Sequence, residues 1–242
     1  MLDLYSDYLL SSFKQTTATG LSKMTDGEVS HDKVSKFLNH KDYSSKDLWQ
    51  SVKPFVRRHE RDEGCLIFDD SIVNKPYTDE SELITWHFDH SIGRSVKGIN
   101  ILTAFYCSTS LSEEPPIRLP ISYMLVLKTI LYCVVKTKKV KRKSEITKNE
   151  MMRQMISQAI HNQLKFKYIL ADSWFASADN MRFIKKKKKY FIFDMKSNRS
   201  AVLSEQDRNK GLWSRIDELD IPDNTPTKVW LIKKTIPSRL SS

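Results

Sequence analysis

Two apolar runs in this chain drive straight into carboxylates. "CLIFDD" (65–70) is four apolar residues stopped by Asp69 and Asp70, and "KYILADSWF" (167–175) carries Ile169, Leu170 and Ala171 into Asp172. Short continuous runs of this kind suit strands covered on both faces, so the chain is expected to build an α/β sheet. In such sheets the ligand crevice opens at the carboxyl ends of the strands. Acids placed there suit hard cations, because Mg²⁺ takes oxygen donors and is held by one or two carboxylates together with substrate phosphate. Aspartate also caps turns at strand ends, so neither acid alone carries this reading. The pair gains weight from a net charge of +11, from 40 Lys and Arg against 29 Asp and Glu. A balance of that size favours a polyanionic partner.

The remaining elements follow from periodicity and caps. Leu2, Tyr5, Leu9 and Phe13 recur at helical spacing. Ser30 caps a helix with Val34, Phe37 and Leu38 on its apolar face, and Ser45 caps another with Leu48, Trp49, Val52 and Val56, kinked at Pro54. This opening is either a helix-turn-helix module or a plain helical cap. "LITWHFDHSI" and "KGINILTAFYC" read as antiparallel strands separated by Gly93 and Gly98, "PPIRLPISYMLVLK" as a proline-broken extended stretch, and "KTKKVKRKSE" as a basic loop. Thr147 and Glu150 spell a capping box for a helix whose inner face is Met151, Met155, Ile156 and Ala159. A strand to Asp172, a helix through "SADNMRFIKKKKK", a strand "YFIFDMK" and a turn-rich tail containing "KVWLIKK" complete the order. The expected division is a helical N-terminal module over 1–62, a mixed α/β core over 63–196 and a β-like tail over 197–242.

"LIFDDSIVNKPY" followed by "ILADSWFAS" resembles the DDE transposases of bacterial insertion sequences. In that family the first acid stands in a D-x-[ST] context, matched by Asp69, Asp70 and Ser71. The second stands in "ADS" before an aromatic, matched by Ala171, Asp172, Ser173 and Trp174. The resemblance implies a ribonuclease-H-like mixed sheet, Asp69 and Asp172 as catalytic and metal-holding residues, and Mg²⁺ or Mn²⁺ as cofactor. It implies DNA as partner, both element ends and target, with a homodimer assembled on it. It also implies that 197–242 is the start of a β-rich insertion. Asp70, one residue on, is expected on the opposite face of its strand. Lys75 lies just beyond, as either a phosphate contact or a solvated loop lysine.

The family's third acid is a glutamate in the pattern Tyr, two residues, Arg, three residues, Glu, six residues, Lys. After Asp172 only Glu205 and Glu218 are available. Setting Arg215 at the motif arginine puts Leu219 at the glutamate, and setting Arg208 there puts Leu212 at it. The expectation is therefore a C-terminally truncated, catalytically dead or crippled copy. The alternative is a non-catalytic remnant that binds DNA or a full-length subunit, using "KKVKRK" (138–143) and "KKKKK" (185–189) on phosphates. Asp194, ending "YFIFD", is an alternative partner for Asp69. An aspartate-nucleophile phosphatase would need D-x-D-x-[TV], which Ser71 and Ile72 do not satisfy. Cys65, Cys107 and Cys133 each sit in an apolar stretch and read as buried free thiols. The run 121–135 is too short for a bilayer and contains Lys128, and the N-terminus lacks a positively charged signal, so a cytoplasmic protein away from membranes is expected.

Overall fold

The structure is a computed structural model that describes residues 1–13, 16–40, 42–108, 116–222 and 225–232. The chain divides into two compact units, residues 1–47 and 48–242.

The first unit holds α1 (Leu2–Ser11), α2 (Ala18–Met24) and α3 (His31–Leu38). The side-chain hydroxyls of Thr17 and Ser30 cap α2 and α3 by accepting the N–H groups of Gly20 (2.9 Å) and Lys33 (3.3 Å). Each helix contributes one residue to a small core of Tyr8, Leu21 and Val34. So few seats leave Leu9, Phe13 and Leu38 exposed, although their spacing places them on the apolar faces.

α4 (Ser45–His59) leads into the second unit. Ser44 and Asp47 bond reciprocally at its start: the Ser44 hydroxyl accepts the Asp47 N–H (3.4 Å), and the Asp47 carboxylate accepts the Ser44 N–H (2.9 Å). Pro54 lies inside the helix without ending it. Trp49, Val52 and Val56 pack into the main core.

The strands are β1 (Cys65–Asn74), β2 (Thr85–Asp89), β3 (Arg94–Ser108), β4 (Ile117–Leu125), β5 (Ile130–Val134) and β6 (Lys139–Lys143). Then come α5 (Lys148–His161), β7 (Tyr168–Ala171), α6 (Ala178–Lys186) and β8 (Tyr190–Phe193). The central sheet runs β4-β3-β1-β7-β8, with β1–β3 and β3–β4 antiparallel and β1–β7 and β7–β8 parallel. This mixed order is that of a ribonuclease-H-like fold, as the resemblance implies. β2 adds to the outer edge of β3 beyond β4. Leu66 and Phe68 of β1, Leu102 and Ala104 of β3 and Ile169 of β7 share one face, against Met152 and Ile156 of α5 and Ile184 of α6. The capping box of α5 is formed as expected, and its four anticipated inner residues are all buried.

Several local expectations need correction. "KVKRK" is not a loop: it is β6, paired antiparallel with β5 from Ile130↔Lys143 to Val134↔Lys139. The exposed hairpin needs no apolar run on its second strand, since both faces meet solvent. Cys133, on β5, is accordingly exposed rather than buried. Gly98 lies within β3 rather than between strands. α6 ends at Lys186, and Lys189 folds back so that its ammonium donates to the Phe166 carbonyl.

Beyond the sheet, β9 (Ser200–Val202), α7 (Glu205–Lys210), β10 (Ser214–Arg215) and β11 (Trp230–Leu231) follow, with the strands in the order β10-β9-β11. Of "KVWLIKK", Trp230 and Leu231 are strand, while Lys233 and Lys234 lie outside the described residues.

Gly98 faces Asn74 in the β1–β3 register. A Cβ there would sit 2.3 Å from the Val73 carbonyl oxygen, and backbone cannot rotate out of the way. Gly98→Ala is expected to lower stability by about 1–3 kcal/mol, read as a fall in the urea midpoint. An unchanged midpoint would show that β1 and β3 are not in this register.

Candidate active site

The site is made by a mismatch of strand lengths. β1 and β7 pair in parallel from Cys65↔Tyr168 to Phe68↔Ala171, and there β7 stops. β1 does not stop, contrary to the expectation that it ends at Asp69. It continues to Asn74 on the support of β3 alone. Its β7-facing edge therefore opens at Asp69, level with the start of the loop at Asp172. A cavity of about 340 Å³ occupies this opening. Asp69, Asp70 and Asp172 line it, facing Phe88, Asp89 and His90 from the end of β2 and the turn beyond.

Alternation along β1 separates the two neighbouring acids. Asp70 falls on the side of buried Leu66 and Phe68, Asp69 on the other. The Asp70 carboxylate accepts the Lys148 ammonium (2.7 Å) and the Asn100 side-chain amide (2.9 Å). Lys148 is the first residue of α5. Asp70 is thus held in an ion pair, while the Asp69 carboxyl has its pKa raised. Burial is the main cause, and the negative charges of Asp70 and Asp172 add to it, against a backbone N–H bond from Asp70 and the charge of Lys148.

Asp172 is fixed by its own loop. One carboxylate oxygen accepts the Trp174 N–H (3.0 Å), and its carbonyl accepts the Phe175 N–H (3.2 Å). Phe175 and Ala176 are buried. Fully buried Asn180, in α6, pins the loop from below. Its amide donates to the Phe175 carbonyl (2.9 Å) and to Asn149 (2.7 Å), while its oxygen accepts from Arg153 (2.6 Å). Asn149 and Arg153 belong to α5, so two helices lock the loop that presents Asp172.

The alternative acids stand elsewhere. The β7–β8 register puts Asp194 level with Asp172, but Asp194 is exposed and is not among the residues lining the cavity. Glu205 opens α7, and the Glu218 carboxylate lies 3.7 Å from the Arg215 guanidinium. Lys75 is exposed.

The donor chemistry of the cavity fits a divalent cation of the Mg²⁺ class. Asp69 and Asp172 offer hard anionic oxygens, and a cation between them would relieve their mutual repulsion, which adds to the effect of burial on Asp69. Among the described residues no group of three His, Cys, Asp or Glu side chains is gathered closely enough to hold a metal.

Sequence reasoning missed Lys148, His90, Asn180 and the placement of Trp174. The capping box marked the start of α5, but nothing local to it pointed at Asp70, 78 positions away. Trp174 stood in the "ADSW" motif without a role. His90, 5.9 Å from the Trp174 ring, arrives only through the pairing of β2 with β3.

One buried histidine supplies a pH expectation. His87 shares a hydrogen bond with the Thr85 hydroxyl (2.9 Å), and its pKa falls to about 4, through burial first and then the charges of Lys128 and Lys148. The folded state keeps it neutral, whereas the unfolded chain protonates it below about 6.5. Its contribution is therefore complete above pH 6.5 and is lost as pH falls toward 4, by up to about 3 kcal/mol. In His87→Gln, which keeps a partner for Thr85, the urea midpoint should fall less between pH 7 and pH 4.5 than in the parent. Equal falls would contradict a neutral buried His87.

A family model described as DDE superfamily endonuclease matches residues 1–216. Comparison with curated proteins finds no match. Among solved structures, a cryo-EM structure of a piggyBac transposase synaptic complex with hairpin DNA is similar, with 12% identity and a TM-score of 0.42 over 81% of this chain. The chain spans 41% of that protein's length. Among the described residues no helix is long and apolar enough to cross a membrane. With the match extending from the first helix past the second acid, the chain belongs to the DDE superfamily endonucleases.

Proposed function

We propose that the chain carries the two-aspartate portion of a transposase that cuts and joins DNA at the ends of an insertion-sequence type element. The observation behind this is the pairing of Asp69 with Asp172 in one cavity at the point where parallel pairing ends. In this reading Asp69 and Asp172 hold Mg²⁺ or Mn²⁺, and the ion when bound stabilises charge on the attacked phosphate. The protein's own part is positional. β1 and β3 hold Asp69, the 172–177 loop holds Asp172, and the Lys148–Asp70 ion pair sets the charge beside them. Residues 1–62 serve as a helical DNA-binding module and 197–242 as the beginning of a β-rich insertion, with two copies acting together on DNA.

Glu205 and Glu218 both miss the family's third-acid spacing, so turnover by this chain alone is expected to be slow or absent. A second reading follows, that of a non-catalytic DNA- or subunit-binding protein. It is favoured by the lack of a three-acid cluster among the described residues. Nicking of supercoiled plasmid in Mg²⁺ or Mn²⁺ separates the two. Nicking that is abolished by Asp69→Asn supports catalysis, however slow. Tight DNA binding with no nicking supports the binder.

Both readings require phosphate contacts, so DNA affinity should fall steeply with salt. A protein neutralising 6–10 phosphates loses roughly 10³–10⁵ in affinity between 50 and 200 mM salt. A salt-insensitive affinity, or none at low salt, would sink both.

A further inference from the structure

Trp174 is a large apolar side chain left 45% exposed two residues after Asp172. Its neighbours explain why it points outward. Phe175 and Ala176 are buried beneath it, its N–H is bound to Asp172, and Asn180 fixes the turn. The ring is therefore held on a rigid loop. Its surroundings are cationic: the Lys148 ammonium lies 5.3 Å and the Lys196 ammonium 5.4 Å from the ring. On one side the ring meets His90 of the aspartate cavity. On the other, Trp174 lines a separate cavity of about 300 Å³, together with Ser177, Lys196, Asn198 and Arg199.

This combination has a specific chemistry. An aromatic face accepts any nucleobase by stacking, and cations at its border hold the phosphates on either side of that base. Polar side chains such as Asn198 and Ser177 suit a base edge, which carries hydrogen-bonding groups. The cavity is at the small end of ligand sites, the size class for one base rather than a duplex. A base can enter only after leaving its stack and its pair, which is how enzymes reach nucleotides that a duplex conceals.

We infer that Trp174 is a stacking platform for one unpaired DNA base, received in the cavity beside it while the adjoining phosphate lies at Asp69 and Asp172. This rests on the DNA reading above and adds to it a positioning residue and a preference for frayed or distorted DNA. Trp174 touches the base, not the reacting atoms. Lys148 and Lys196 exchange their contact with the ring for contacts with phosphates as the base arrives.

The test uses the full chain with Ca²⁺ in place of Mg²⁺ or Mn²⁺, so that a cation can join phosphate to the two aspartates while cleavage is suppressed, with two DNA probes of one sequence. One is fully paired. The other has a short unpaired end carrying 2-aminopurine. The parent should bind the frayed probe about tenfold more tightly than the paired one, and should quench the 2-aminopurine. Trp174→Ala should lose both the preference and the quenching while binding the paired probe as the parent does, and Trp174→Phe should keep most of both. The exposure of the ring makes unchanged thermal unfolding the expectation for both variants. A preference that survives Trp174→Ala, equal weakening on both probes, or no preference in the parent would overturn the inference. If the parent fails to bind even the paired probe at low salt, the DNA reading itself falls.

Discussion

Asp69→Asn and Asp172→Asn should each weaken Mn²⁺ binding to the cavity by about a hundredfold or more. Each substitution keeps the shape of the side chain and removes one of the two anionic donors. Changes to residues that merely orient a metal's ligands cost 10- to 100-fold in affinity, so removal of a ligand's charge should cost no less. Either variant removes the repulsion between Asp69 and Asp172, one of the smaller contributions to the raised Asp69 pKa, so neither folded protein is expected to be less stable than the parent without metal. That combination, lost affinity with retained stability, distinguishes metal-site residues from structural acids. Asp194→Asn is the control, since Asp194 is exposed and away from the cavity walls. Calorimetric titration with Mn²⁺ reads the affinity and urea unfolding the stability. Equal affinity in the parent and in Asp69→Asn would remove Asp69 from the site.

The largest stability effect is expected at Asn180. It is fully buried, and its side chain donates to the Phe175 carbonyl, Asn149 and the Met152 sulfur and accepts from Arg153. Asn180→Ala leaves the Phe175 carbonyl, Asn149 and Arg153 without their partner in a place with little access for water. Buried groups left unsatisfied cost about 1–3 kcal/mol each, part of which relaxation recovers. A total of about 3 kcal/mol is expected, measured as a lower urea midpoint at unchanged slope. Because these bonds hold the 172–177 loop, Mn²⁺ affinity should fall as well, even though Asn180 is not a ligand. A destabilised variant with parental Mn²⁺ affinity would show that the loop is positioned by something else.

How far the site could be read from the sequence depended on whether its signals were local. The apolar runs ending at Asp69 and Asp172 carry their strands and their acids within a few residues. The two acids also come together for a local reason, because parallel in-register strands of equal start bring equal offsets level. The capping box of α5 was equally plain, since Thr147 and Glu150 are three residues apart. What could not be read was where partners lie across the sheet. That β1 continues past Asp69 depends on β3, whose pairing reaches Asn74↔Gly98. That Asp70 meets Lys148 depends on α5 starting beside it. "KVKRK" read as a loop because its lysines mask a weak alternation, and only its pairing with β5 makes it a strand. Exposure of Cys133 follows from that same hairpin. Neither Glu205 nor Glu218 meets the third-acid spacing, and although Asp70 and Asp89 also line the cavity, no group of three among the described residues is placed to hold a metal.

The most direct test of the two-aspartate cavity is anomalous diffraction from crystals of this chain soaked in Mn²⁺. The expected result is one peak in contact with the carboxylates of both Asp69 and Asp172, lost in crystals of Asp172→Asn, with the Lys148–Asp70 ion pair intact beside it. A peak held by Asp70 or Asp194 instead, or no peak between Asp69 and Asp172 at saturating Mn²⁺, would contradict the assignment of this cavity as the metal and phosphate site.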